Sequence, residues 1–145
     1  MCSLYSYQAP DNCLQWFTET SGGFTSFNYQ FLKAPLVQHL ANQDYTICIR
    51  QNDGYCGVKY EVCQLDPLNY KSRTHFLLSA EMSQVALIDY ACMSDFLQIP
   101  CATDQRSRSQ LQSIGYGCST KICGSVFSSI LSATEPAPVY SELLK

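Results

Sequence analysis

Nine cysteines are the residues best able to do chemistry in this chain, and their spacing separates a metal site from a disulfide framework. The close spacings are Cys56 to Cys63, Cys92 to Cys101 and Cys118 to Cys123, while His39 and His75 lie far from all of them in sequence. Zinc is held by repeated, tightly spaced cysteine pairs, often with histidine beside them. The pattern therefore favours structural disulfides, and that density of bridges belongs to an oxidising compartment. The chain reads as extracellular and secreted.

The count is odd. Cys2 stands outside the patterned region, so its expected partner lies upstream of this chain, with a free or intermolecular thiol as the alternative. The segment Met1 to Gln8 has neither a basic start nor an apolar run and does not read as a signal peptide. No stretch approaches the roughly 18 apolar residues of a membrane span. A cysteine-rich domain without a visible export signal reads as part of a longer secreted or cell-surface protein.

Catalytic chemistry finds little support. Ser, His and Asp are all present, yet no serine sits in a Gly-x-Ser-x-Gly turn. His39 falls in a loop-like stretch, and His75 begins an apolar run. Asp89 and Asp95 could pair as glycosidase carboxylates, but nothing else in the chain supports that chemistry. The expectation is a non-catalytic protein with no cofactor. The net charge of −3, with lysine and arginine scattered, gives nucleic acid no basic face. Tyr45, Tyr55, Tyr60 and Tyr70 form a candidate aromatic binding ribbon, set against ordinary strand tyrosines in core and rim. Asn12, Asn28, Asn42, Asn52 and Asn69 all lack a hydroxyl two residues on, so N-glycosylation is not expected.

The elements that must position these residues read as strands. Cys13–Thr20, Asp44–Arg50, Val58–Val62, Thr74–Ser79, Val85–Tyr90 and Phe96–Ile99 are short runs rich in β-branched and aromatic residues. Residues 51–54, Gln-Asn-Asp-Gly, tolerate positive φ and predict a β-hairpin joining the second run to the third. Residues 34–40 could make a helical turn, and residues 102–117 read as an exposed loop. Short strands at near-regular spacing, with no amphipathic helix, predict an all-β fold: a two-sheet antiparallel sandwich.

With these residues in place the chain resembles a CUB domain, in a divergent, cysteine-rich form. Cys13, Gly22-Gly23 followed by Ser26-Phe27-Asn28-Tyr29, and Cys48 match the first half of the family pattern. Cys92, Asp95, Leu97 and Ile99 match its Cys-x-x-Asp-x-Leu-x-Ile element, and Cys123-Gly124 matches its closing pair. The resemblance implies a CUB-like jelly roll over 13–145 behind a lead-in at 1–12. It also implies bridges Cys13–Cys48 and Cys92–Cys123, which leaves Cys56–Cys63 and Cys101–Cys118 as local pairs. Such domains end in a Gly-Phe-x-x-x-Tyr segment that is not found here, so a C-terminally truncated domain lacking its last strands is expected. Many members bind calcium, and Asp95 occupies the position of one ligand. The family's glutamate position is Leu87 here, with Asp89 nearby. The function implied is protein or glycan binding within a larger extracellular protein. Alternatives are an accessory domain of a secreted protease and a calcium-dependent binder.

Overall fold

The structure is a computed structural model that describes residues 8–27, 29, 40–63, 76–78, 84–104 and 118–142. Its elements are β1 (Cys13–Phe17), β2 (Thr46–Ile49), β3 (Gly57–Tyr60), β4 (Ala86–Ile88), a 3-10 turn (Asp89–Ala91), β5 (Leu97–Thr103), β6 (Ser119–Gly124) and β7 (Val139–Glu142). Among the described residues there is no α-helix, so the all-β expectation holds. The chain divides into two compact units, residues 1–55 and 56–145.

In the first unit β1 and β2 lie side by side and parallel, with Trp16 opposite Cys48 and Phe17 opposite Ile49. A parallel pair needs a long crossover, here residues 18–45, because a tight turn can only reverse the chain. Cys13 and Cys48 are joined by a disulfide. Arg50 extends the pairing, since its backbone N–H reaches the Phe17 carbonyl at 2.8 Å and its guanidinium donates to the Thr18 carbonyl at 3.2 Å. Phe17 packs near Phe24, and Phe27 meets Tyr45 edge-on at 5.0 Å.

The hairpin expected from residues 51–54 does not form. The turn is there: Tyr55 N–H donates to the Asn52 carbonyl at 3.2 Å, and Gly54 takes a φ of 85° that suits glycine. However, β2 pairs with β1, and β3 pairs with β7. Turn residues supply a change of direction and leave the choice of strand partner open. Between Ile49 and Gly57 the connection is also longer than the usual hairpin loop. The helical turn at 34–40 falls on residues outside the described set, apart from Leu40.

In the second unit five antiparallel strands follow the order β3-β7-β5-β6-β4. The last strand in sequence thus occupies a central place, between β3 and β5. One face carries the core: Ile99, Ala102, Ile122, Phe127 and Val139 are buried, with Tyr60, Val62, Phe76 and Leu97 packed on them. Leu97 and Ile99 point to this core by simple alternation along β5. Phe76 and Phe127 meet edge-on at 5.3 Å.

Pro100, without an N–H, and Cys101, at φ 50°, interrupt β5, and its register against β6 shifts between Gln98 and Ala102. Side chains bind β7 to β5 around that irregularity. The Ser141 hydroxyl donates to the Pro100 carbonyl, and the Thr103 hydroxyl to the Tyr140 carbonyl at 3.3 Å. The strand runs on to Thr103, past residue 102 where a loop is expected. Residues 105–117 lie outside the described residues. Residues 125–137 fold back on β4, where Ala86 N–H donates to Ala133 and the Ala86 carbonyl accepts from Ser132, both at 2.8 Å.

Candidate binding surface

Residues 89–96 join β4 to β5 and are anchored at two points. After Ile88 the chain leaves the sheet, with Asp89 at φ 45° opening the 3-10 turn. β4 pairs with β6 as far as Ile88 opposite Ile122, so the next N–H groups of β6 lose their strand partner. The Asp89 carboxylate takes that place. Its Oδ1 accepts from the Thr120 N–H at 2.7 Å, the Lys121 N–H at 3.2 Å and the Thr120 hydroxyl at 3.2 Å. Partial burial works against the charged form, but hydrogen bonds from the Thr120 and Lys121 backbone and the Thr120 and Ser119 hydroxyls outweigh it. The pKa falls below the ordinary aspartate value.

A carboxylate whose pKa is depressed on folding stabilises the fold above its unfolded pKa, and that stability is lost as pH falls through the folded value. Asp89→Asn is therefore expected to lower stability at neutral pH by about 1–2 kcal/mol, the scale of hydrogen bonds to a charged group. It should also flatten the loss of stability on acidification below about pH 4. Urea unfolding at neutral pH and at pH 3 reads both effects, and an unchanged acid slope in the variant would contradict this role for Asp89.

The second anchor is Cys92, bonded to Cys123 of β6, with both sulfurs buried. Between and beyond the anchors the large side chains face out. Tyr90 is 83% exposed and Met93 94% exposed. Phe96 is 40% exposed, with the Lys121 ammonium 4.2 Å above its ring. Two short-range restraints thus hold a loop that would otherwise be loose, and it presents an aromatic ring and a thioether to solvent.

The other candidate residues are distributed as follows. A third disulfide joins Cys101 of β5 to Cys118, the residue before β6. Cys56 and Cys63, expected to bond to each other, are instead free and exposed. The strand β3 (Gly57–Tyr60) lies between them, and an extended strand, at about 3.3 Å per residue, separates its ends rather than bringing them to the roughly 7 Å between α-carbons that a disulfide tolerates. Cys2, His39, His75 and Tyr70 lie outside the described residues. Of the tyrosines of the expected ribbon, Tyr60 packs on the core, where burial raises its pKa, and Tyr45 meets Phe27 edge-on. Tyr55 is exposed.

Asp95 is half-buried within the same loop. Calcium needs several converging oxygens. The nearest acid in sequence, Asp89, has committed Oδ1 to three donors of β6. Among the described residues no three His, Cys, Asp or Glu side chains come together. Sequence reasoning passed over Tyr90, Met93 and the anchoring role of Asp89. Their one signal was an acid closing the apolar run 85–88, where a strand must end.

A family model described as the animal CUB domain matches residues 10–143. The match spans the seven strands and three bridges among the described residues, and the 89–96 loop. The family supports an extracellular interaction module in general terms. No curated protein and no solved structure matches the chain. No helix among the described residues is long and apolar enough to cross a membrane.

Proposed function

Because the chain belongs to the animal CUB domain family, we propose that it is a non-catalytic interaction module of a larger secreted or cell-surface protein, binding a protein or glycan through the loop 89–96. The observation that supports this is the near-complete exposure of Tyr90 and Met93 on a segment pinned by Asp89 and the Cys92–Cys123 bridge. Large apolar side chains held rigidly in water contribute contact area with little ordering entropy on binding. Tyrosine, methionine and arginine are the residue types enriched in interface cores, which favours a protein ligand over a glycan.

The test is a binding screen of the immobilised domain against extracellular proteins and arrayed glycans, repeated with Tyr90→Ala/Met93→Ala. Loss of affinity of at least about tenfold is expected, on the scale of an interface hot spot, with an unchanged unfolding midpoint. Undiminished binding by the double variant would refute this placement of the contact face. In the protease-accessory alternative the same module binds in the same way, and the chemistry resides elsewhere in the parent protein. The calcium-dependent alternative rests on Asp95. It predicts heat on calorimetric titration with calcium that Asp95→Ala abolishes, and no heat at millimolar calcium ends it.

A further inference from the structure

We infer that β3 is the edge at which a second copy of this chain adds, through a two-fold pairing centred on Tyr60. Among the described residues β3 stands at the end of the strand order, with β7 on one side. The stretch Val58-Lys59-Tyr60-Glu61-Val62 alternates without a break. Val58, Tyr60 and Val62 turn inward, while Lys59 and Glu61 are exposed, with side chains 48% and 61% accessible. An edge strand offers unpaired backbone groups, and proteins usually guard such an edge with charge, lysine above all. Here the guard is accompanied by its own complement, since Lys59 Nζ lies 2.7 Å from Glu61 Oε2 on the same face.

Symmetry selects the register. Two identical strands pair antiparallel about a two-fold axis normal to the sheet, and that axis keeps every residue on its own face. The axis must therefore pass midway between one residue and the same residue of the partner. Centred on Lys59 it would set lysine opposite lysine, and centred on Glu61 it would set glutamate opposite glutamate. Centred on Tyr60 it places Lys59 opposite the partner's Glu61, and Glu61 opposite the partner's Lys59. On the inner face Val58 then meets the partner's Val62. The segment reads the same in both directions by chemical class, so the charges that repel a foreign strand are complementary to those of a second copy. In this register Gly57 also falls opposite the partner's Cys63, which is free and exposed.

The experiment uses the full chain with Cys2, Cys56 and Cys63 replaced by serine, so that no thiol can cross-link it. Sedimentation equilibrium up to millimolar concentration is expected to show a monomer–dimer equilibrium. Lys59→Glu should weaken it about tenfold, because two attractive cross-strand pairs become repulsive. Adding Glu61→Lys should restore it. The register is read separately in a chain that keeps Cys63 and carries Cys2→Ser and Cys56→Ser. There Gly57→Cys should give a covalent dimer under mild oxidation, and Val58→Cys should not. A chain that stays monomeric throughout overturns the inference, as does a dimer indifferent to Lys59→Glu. So does cross-linking at Val58→Cys in preference to Gly57→Cys.

Discussion

Gly124→Ala is expected to destabilise this domain by about 3 kcal/mol or more, a severe effect from a single methyl group. Gly124 takes a φ of 89°, where a side chain adds about 1–2 kcal/mol of strain. A Cβ there would also lie 2.4 Å from the Val85 carbonyl oxygen and 3.2 Å from the Leu87 nitrogen. Both are backbone atoms of or beside β4 and cannot rotate aside as a flexible side chain would. The same residue bonds on its other side, since its carbonyl accepts from the Leu78 N–H at 2.9 Å. Relief in one direction therefore breaks contacts in the other. With total stabilities of about 5–15 kcal/mol for domains of this kind, thermal unfolding should move down by roughly 10 °C. A midpoint within two degrees or so of the parent protein would show that Gly124 is not clamped in this way.

The second large effect is expected from Cys92→Ala/Cys123→Ala. The bridge spans 31 residues, and the loop-entropy model assigns such a closure about 3–4 kcal/mol. Both cysteines are buried, so lost packing adds to the loss. Cys101→Ala/Cys118→Ala should be milder. Its 17-residue span lies inside the outer bridge, which already restricts that part of the unfolded chain, and both cysteines are only half-buried. Denaturant unfolding of the two double variants ranks them. If removal of the inner bridge proved the more damaging, the 92–123 closure would not be the main constraint on the sheet. Losing the outer bridge should also weaken ligand binding, because it frees one of the two anchors of the loop 89–96.

Alternation and local composition carried the strands well. Leu97 and Ile99 on the core face follow from residue type and spacing alone, and so does the turn expected at residues 51–54, which closes one residue later at 52–55. Partnership between strands was less legible. The Asn-Asp-Gly turn suggested that β2 and β3 pair with each other, yet each found a strand distant in sequence. Nothing in a turn encodes which hydrophobic face lies within reach after it. The same limit applies to Cys56 and Cys63: their short separation in sequence suggested a local bridge, and an extended strand between them removes it. The loop 89–96 was hidden for a different reason. Tyr90 and Met93 have the composition of core residues, and only the departure of the chain at Asp89 turns them outward. Asp95 attracted notice by its place in the family motif, whereas Asp89, outside that motif, is the acid seen to organise the neighbouring backbone.

One sheet is closed by Cys92–Cys123, and β3 lies between two free thiols. Non-reducing peptide mapping after alkylation of the native protein tests this directly. The expected result is linked peptides for Cys13–Cys48, Cys92–Cys123 and Cys101–Cys118, with Cys56 and Cys63 alkylated. Cys92 linked to any cysteine other than Cys123, or Cys56 linked to Cys63 within one chain, would contradict it.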